Sequence, residues 1–274
     1  MSHILESDIT LEMGILMYPV LLITFVVLMW TISSATRYYI KFILFSVLSL
    51  IAATSCIPIM LVKPRDSKNA LMPALFCRYI ASLLGLSYTV EGHENIIKGS
   101  GCVILINHQS ALDLIILAYL WPIMDNCTVV SKKEVLYLQP FGSAAWLWGT
   151  LFINRSDNKD SRTKVSKTEQ AIRNYKARIL MFPEGTRNLK KKLVPFKKGA
   201  FHLALDAGCP IQPVCVSRYT FLGKNRFDNG HVHIQILPAI STKNHTKEDL
   251  PKLIDECYKT MSEHVELIST MKSS

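Results

Sequence analysis

Residues 107–113 (NHQSALD) form a polar stretch between two strongly apolar segments, and the stretch contains His108 and Asp113. In a continuous α-helix, positions five apart differ by roughly 140° around the axis, so these side chains would not share a face. They can meet only if His108 lies in a turn and the helix starts after it. Ser110 supplies such a start, because Ser-Ala-Leu-Asp has the pattern of a capping box.

Two interpretations of this pair remain open on the local residues. In the structural one, Asp113 caps the helix and His108 ends a strand. In the catalytic one, Asp113 keeps one imidazole nitrogen protonated and the other takes a proton from an incoming hydroxyl, which is worth about 10²–10⁴ in rate. The N–H groups of the first helical turn would then stabilise an oxyanion or a phosphate. Because no G-x-S-x-G motif is present, the base would act directly on the substrate hydroxyl.

A second motif, FPEGTR at residues 182–187, follows the apolar run RILM. Pro183 and Gly185 predict a tight turn at the end of a strand, where the sites of α/β proteins assemble. Gly185 permits close backbone approach, and Arg187 offers a planar guanidinium suited to phosphate. The alternative is ordinary turn chemistry with a surface ion pair between Glu184 and Arg187.

The elements that would position these motifs alternate between strand and helix patterns. Strands are predicted at residues 87–92, 102–107, 127–131, 150–154, 178–182, 211–217 and 231–237. Helices are predicted at residues 69–85, 111–120, 139–147, 162–177, 197–207 and 247–268. This alternation indicates an α/β fold, a layered domain with a largely parallel mixed sheet flanked by helices.

Two apolar runs without any charged residue, 14–34 and 42–62, precede this domain. As helices each would be about 30 Å long, enough to cross a hydrocarbon core. A cleaved signal peptide is the alternative for the first run, but residues 1–13 lack the expected Lys or Arg. We therefore expect an N-terminal membrane-embedded helical hairpin at 1–62 and the α/β domain at 63–274. Basic residues after both runs leave the number of spans and the topology open.

The charge of the chain limits the classes of molecule that it could bind, and its cysteines indicate the redox state of its compartment. The net charge is +10, and basic clusters at 131–133, 189–192 and 196–198 suit anionic head groups, phosphorylated small molecules or a solvated face. No nucleic-acid module is recognisable, so no nucleic-acid partner is predicted. The seven cysteines contain no C-x-x-C, which predicts buried free thiols in a reducing compartment. His231 and His233 lack a third ligand at a useful spacing, so no metal site is predicted.

Four motifs occur in a defined order along the chain: NHQSALD, GTLFINR at 149–155, FPEGTR, and CPIQPV at 209–214. In this set the sequence resembles the glycerolipid acyltransferase family, and within it the 1-acylglycerol-3-phosphate acyltransferases, over roughly residues 62–240. The resemblance implies acyl transfer from acyl-CoA, a co-substrate, to the sn-2 hydroxyl of lysophosphatidic acid, giving phosphatidic acid. It implies no metal or redox cofactor. It also implies an integral membrane protein of the endoplasmic reticulum, with its catalytic domain facing the cytosol.

The resemblance also implies roles for individual residues. His108 would be the base and Asp113 would orient it, while Pro210 would line the acyl-CoA side. Binding of the acceptor's glycerol phosphate would fall to Asn154, Arg155, Glu184, Gly185 and Arg187, joined by Lys132 or Lys133. Asn154 replaces the aspartate of many members, and Cys209 stands where an aliphatic residue is usual. The alternatives are the same chemistry on glycerol 3-phosphate or another lysophospholipid, and a catalytically inactive lipid-binding protein. The oligomeric state and the acyl-chain preference are left open.

Overall fold

The computed structural model describes the backbone of residues 2–153 and 158–271, and the side chains of 17–153, 166 and 168–271. The chain forms two compact units. The larger contains residues 45–220 and 229–274, and the smaller contains the residues up to 44 together with 221–228.

Nine strands are present in the described residues: β1 (Leu86–Glu91), β2 (Cys102–Ile106), β3 (Cys127–Lys132), β4 (Leu151–Ile153), β5 (Arg178–Met181), β6 (Ile211–Val216), β7 (Leu222–Gly223), β8 (Arg226–Phe227) and β9 (Gly230–Ile236). Seven of them form one sheet in the order β1-β9-β6-β2-β5-β3-β4, and β7 pairs with β8 in the smaller unit. Every neighbouring pair of the large sheet is parallel except β6 with β9, which is antiparallel. The predicted mixed, largely parallel sheet is confirmed.

The sheet has the buried centre typical of parallel sheets. All five residues of β2 are buried, and β2 lies between β5 and β6. A strand covered on both faces requires the continuous apolar run CVILI, because neither face reaches water. β2 is therefore held by hydrogen bonds to a strand on each side, and the segment that follows it starts from a fixed position.

The helices of the described chain are α1 (Ser2–Ile32), α2 (Ser34–Ser55), α3 (Ile57–Met60), α4 (Leu71–Leu83), α5 (Asp113–Leu120), α6 (Phe141–Leu147), α7 (Asn158–Tyr175), α8 (Gly199–Ala207) and α9 (Leu250–Thr270). One buried core joins the sheet to α8 and α9, and it includes Val103, Phe201 and Met261. α4 packs against α5 and β1. Helices thus flank the sheet, as predicted.

The N-terminal helices differ in their bounds from the predicted ones. Ser33 alone separates α1 from α2, so Arg37 and Lys41 lie within α2 and not in a connection. The second apolar run is also divided, because α2 ends at Ser55 and Pro58 lies in the first turn of α3, where proline is well accommodated. Among the described helices, Ser34–Ser55 is long and apolar enough to cross a membrane, and Met17–Ile32 is a shorter apolar stretch. The domain boundary at residue 62 stays a prediction.

Candidate active site

The NHQSALD and FPEGTR motifs, together with Lys132, converge at one edge of the sheet. β2, β5 and β3 are parallel neighbours, so their carboxyl ends lie at the same edge. Residues 107–113 follow β2, residues 182–187 follow β5, and Lys132 ends β3. The order of strands in space therefore brings together segments that lie far apart in sequence.

His108 and Asp113 are in direct contact. The His108 Nδ1 lies 2.6 Å from Asp113 Oδ2. α5 begins at Asp113, so His108 lies in the turn before the helix, as the spacing requires. A carboxylate can only accept, so Nδ1 carries the hydrogen of this bond and Nε2 of the neutral imidazole is left as an acceptor. The contact expected in the catalytic interpretation is present.

The Asp113 carboxylate is buried and fully occupied. Its side chain is 3% exposed, and Oδ2 also accepts the backbone N–H groups of Gln109 at 2.7 Å and Ser110 at 3.2 Å. Tyr219 donates its hydroxyl to Oδ1 at 2.7 Å. These four hydrogen bonds hold the carboxylate in place. The N–H groups of Gln109 and Ser110, which precede α5, thus bind Asp113. The expectation that N–H groups of the first helical turn stabilise an oxyanion or a phosphate stays a prediction.

Tyr219 is a residue of the site that the sequence motifs did not reveal. It is 3% exposed, and burial, followed by the nearby Asp113 carboxylate, raises its pKa well above the ordinary tyrosine value. The hydroxyl therefore stays protonated and donates to Asp113. Tyr219 follows β6, which is the parallel neighbour of β2, so its position depends on strand order and leaves no local signal.

The other polar residues of NHQSALD anchor the turn. The Asn107 side chain donates to Val216 O at 3.0 Å and accepts from Val216 N at 2.8 Å. The Gln109 side chain donates to Ser217 O at 2.8 Å and accepts from Tyr219 N at 3.2 Å. Both side chains are buried with their hydrogen-bonding groups satisfied. The side-chain amides therefore join the end of β2 to the end of β6 through hydrogen bonds. This explains why a polar stretch lies between two buried segments.

The FPEGTR turn supports the imidazole from its other side. The ring of Phe182 stacks on His108, with centroids 4.1 Å apart and planes inclined by 24°. The Gly185 N–H donates to Phe182 O at 3.1 Å, which closes the predicted tight turn. Gly185 has φ of +66°, a left-handed conformation that favours glycine. The imidazole is thus held by a carboxylate and an aromatic face.

Glu184 occupies a different place from the predicted one. Its side chain is 1% exposed, and its carboxylate accepts from His108 N at 2.8 Å, Val194 N at 3.1 Å and the Asn188 amide at 3.3 Å. A buried carboxylate whose oxygens already accept these bonds does not face a phosphate. Within the described residues no ion pair joins Glu184 to Arg187 either. Glu184 connects the two motifs through their backbones, which corrects both predictions made for it.

A cavity of about 880 Å³ opens beside the imidazole. This volume lies toward the upper end of the range of about 300–1,000 Å³ for small-molecule sites. Its polar wall contains His108, Asp113, Lys132, Gly185 and Arg187. Its apolar wall comes largely from the second half of α2, from α4 and from α5, and includes Phe45, Leu50, Ala53, Ala74, Leu114, Leu117, Trp121 and Trp148.

The other residues predicted to bind the phosphate are Lys133, Asn154 and Arg155. Lys133 is partly buried in the turn after β3 and does not line the cavity. Asn154 and Arg155 lie outside the described residues. Of the GTLFINR motif, the structure describes residues 149–153, which end with β4.

Pro210 lies at the opposite edge of the sheet. It precedes β6, and Val103 pairs with Ile211 at the beginning of β2 and β6. Pro210 is level with Cys102, so with about 3.3 Å per strand residue it is separated from His108 by roughly 20 Å along the strands. CPIQPV thus marks the start of a strand, and Pro210 does not line the cavity beside His108. Its assignment to the acyl-CoA side stays a prediction.

The cysteines provide no activated thiol at this site. All seven are free and buried, as predicted. Cys77 lines the cavity, but burial raises its pKa to about 12, so its thiol stays protonated at neutral pH. Among the residues that the structure describes, no three His, Cys, Asp or Glu side chains lie close enough to hold a metal ion.

Replacement of Tyr219 tests whether the carboxylate needs its fourth donor. In Tyr219→Phe, Oδ1 of Asp113 loses the hydroxyl that satisfies it, and we expect the free energy of unfolding to fall by about 1–3 kcal/mol. We expect kcat to fall less than when Asp113 itself is changed, because the His108–Asp113 bond is kept. Thermal unfolding and steady-state kinetics measure the two effects.

The matched control for this variant is Tyr258→Phe, which removes a hydroxyl that donates to Leu193 O at 2.9 Å. It should lose stability without losing kcat. If Tyr219→Phe kept the stability and the kcat of the unchanged protein, the hydrogen bond to Asp113 would have no role.

Comparisons with known proteins agree with this geometry. Residues 87–217 match the Acyltransferase family model. The chain is 33% identical over 245 residues to human 1-acyl-sn-glycerol-3-phosphate acyltransferase alpha, covering 88% of this chain and 86% of the relative. It is 31% identical over 207 residues to the 1-acyl-sn-glycerol-3-phosphate acyltransferase of Salmonella typhimurium, covering 75% and 83%.

A solved structure has the same fold. The crystal structure of the 1-acyl-sn-glycerophosphate acyltransferase of Thermotoga maritima superposes with a TM-score of 0.66 at 20% identity, covering 87% of this chain and 98% of that one. With the relatives' identity over most of their length, the chain belongs to the 1-acyl-sn-glycerol-3-phosphate acyltransferase family.

Proposed function

We propose that this protein transfers an acyl group from acyl-CoA to the sn-2 hydroxyl of 1-acyl-sn-glycerol 3-phosphate (lysophosphatidic acid), forming phosphatidic acid. The observation that carries the proposal is the His108–Asp113 pair in the wall of a cavity that is basic at one side and apolar at the other. The acceptor has the same division, since its phosphate is anionic and its acyl chain is apolar. The relatives' names point to the same acceptor.

His108 is the general base of the proposed reaction. Its Nε2 takes the proton of the sn-2 hydroxyl, and the oxygen attacks the thioester carbonyl of acyl-CoA. The C–S bond then breaks, and the imidazolium returns its proton to the leaving CoA thiolate. Asp113 keeps the tautomer that leaves Nε2 free and stabilises the transient positive charge, as its short bond to Nδ1 allows. No redox step occurs, and acyl-CoA is consumed as a co-substrate.

The phosphate of the acceptor binds at the basic side of the cavity. Arg187 is exposed, and among the described residues no carboxylate lies within 4 Å of its guanidinium, so the fork is available. Lys132 is exposed at the end of β3 on the same wall. Gly185 lets the phosphate approach the backbone, while Glu184 acts by positioning the two turns. Asn154 and Arg155 are proposed to join this group, on the family resemblance alone.

The acyl chains occupy the apolar side, and the site lies at a membrane surface. α2 is long and apolar enough to cross a membrane, and its second half lines this side of the cavity. α4 also exposes large apolar side chains, including Leu75, Phe76, Tyr79 and Leu83. Exposed apolar surface of this kind is typical of membrane contact. We therefore propose an integral membrane protein whose cavity receives substrates from the bilayer, in the endoplasmic reticulum with the catalytic domain toward the cytosol.

Release of CoA thiol by the purified protein tests the function. We expect rapid release from acyl-CoA only when lysophosphatidic acid is present. Release without an acceptor would indicate a thioesterase, and no release with any acceptor would indicate an inactive lipid-binding protein. A preference for glycerol 3-phosphate or for a lysophospholipid with a larger head group would keep the chemistry and replace the acceptor.

Replacement of Arg187 tests the phosphate site. In Arg187→Ala the acceptor loses a charge-assisted contact worth about 1.5–3 kcal/mol, so its KM should rise by roughly 10- to 150-fold with a smaller change in kcat. Arg187→Lys keeps the charge and loses the planar fork, and its KM should lie between the two. A loss confined to kcat would place Arg187 at the reacting atoms instead. Initial rates at varied acceptor concentration distinguish these outcomes.

A further inference from the structure

The conformation of Gly185 leaves space that the side chain of Lys197 fills. A Cβ atom placed on Gly185 would lie 2.8 Å from Cδ of Lys197 and 2.9 Å from both Cε and Nζ. The end of the lysine chain therefore lies directly against the Cα of Gly185, in space that the Cβ of any other residue would share. Lys197 is also fixed through its backbone, because its N–H donates to Pro183 O at 2.8 Å.

This arrangement places a further positive charge against Gly185, which lines the basic side of the cavity, although Lys197 itself is not part of the cavity wall. Gly185 and Arg187 line the cavity, and the Lys197 ammonium lies against the first of them. Lys197 is exposed, and within the described part of the chain no carboxylate lies within 4 Å of its ammonium. Its charge is thus not neutralised by the protein. Its neighbour Lys198 is also exposed, but the three atoms nearest to a Cβ on Gly185 all belong to Lys197.

The chemistry of the substrate gives this charge a use. A phosphate monoester carries about −1.5 to −2 charges at neutral pH and has three acceptor oxygens. One guanidinium neutralises only part of that charge, and lysine serves phosphate as a mobile point charge beside an arginine fork. We propose that Lys197 binds the phosphate monoester of the acceptor across the open face of Gly185, together with Arg187. This inference rests on the proposed function and adds a binding residue to it.

Paired substitutions test the proposal. Lys197→Met keeps the aliphatic stem against Gly185 and removes the charge, and Lys198→Met makes the same change one residue away. We expect the KM for lysophosphatidic acid to rise by roughly tenfold in Lys197→Met, with the KM for acyl-CoA unchanged, and both constants to stay near the original values in Lys198→Met. Lys197→Arg should restore most of the affinity. Thermal unfolding of each variant confirms that it is folded.

Each alternative result has a definite meaning. A rise in the KM for acyl-CoA instead would assign Lys197 to the donor's phosphates and overturn the proposal. Equal changes in Lys197→Met and Lys198→Met would reduce it to general surface charge, and a Lys197→Arg variant as weak as Lys197→Met would show that charge is not what matters. If the unchanged protein fails to acylate lysophosphatidic acid, the proposed function fails. If that protein is active and Lys197→Met has the same KM, the Lys197 inference alone fails.

Discussion

Replacement of His108 by alanine is expected to abolish turnover while leaving the fold intact. The imidazole is the group in the cavity wall whose free nitrogen can take the hydroxyl proton, and general-base help is worth about 10²–10⁴ in rate. The loss should appear in kcat, because the acceptor's phosphate and acyl chain bind elsewhere in the cavity. Initial-rate measurements on purified His108→Ala protein check this result.

The fold should survive because the neighbours of His108 keep their own partners. Asp113 retains the N–H groups of Gln109 and Ser110 and the hydroxyl of Tyr219. His93, an exposed histidine in another turn, supplies the control, and His93→Ala should have normal kinetics. Near-normal turnover by folded His108→Ala would refute the assignment of the base.

Replacement of Asp113 by asparagine is expected to lower kcat by about 10²-fold or more. The amide oxygen can still accept from His108, Gln109 and Ser110, but the negative charge that stabilises the imidazolium is lost. The amide nitrogen would face Tyr219, whose oxygen can accept a hydrogen bond. The free energy of unfolding should therefore fall only by about 1–3 kcal/mol, as charge-assisted bonds become neutral ones. Steady-state kinetics and thermal unfolding measure the two effects.

Two further variants isolate the role of the charge. Asp113→Ala should be less stable than Asp113→Asn, because it leaves buried N–H groups without an acceptor. Asp125→Asn removes an exposed carboxylate elsewhere and should change neither constant. An Asp113→Asn protein with unchanged kcat would show that the carboxylate only caps α5, which is the structural interpretation of this pair.

The sheet could be predicted because its signals are local. Strands buried on both faces must be continuously apolar, and turns and helices separate them regularly along the chain. The seven strands of the large sheet were therefore found nearly to the residue. The short β7–β8 pair was missed because two-residue strands carry no pattern. The bounds of the N-terminal helices differ from those of the apolar runs, because hydropathy alone does not show that Arg37 and Lys41 continue a helix.

Some site residues could be predicted from neighbouring residues in the sequence, whereas others depend on contacts between distant segments. The contact of His108 with Asp113 followed from five-residue spacing and a helix start, both of which are local. Tyr219 could not be found, since its place depends on β6 lying beside β2. Glu184 was assigned to the substrate because the sequence gives no local signal of its burial. That burial depends on hydrogen-bond partners in three different segments. The position of Pro210 at the start of β6 was not foreseen, because a motif beside a strand does not reveal which end of the sheet it occupies.

Identification of the labelled product tests the central claim most directly. Purified protein is supplied with isotopically labelled acyl-CoA and unlabelled 1-acyl-sn-glycerol 3-phosphate, and the position of the label is read by mass spectrometry after selective hydrolysis of the sn-2 ester. The expected result is phosphatidic acid with all label at sn-2, formed by the unchanged protein and absent with His108→Ala. Label recovered as free fatty acid, or product formed equally by both proteins, would contradict acyl transfer by this pair of residues.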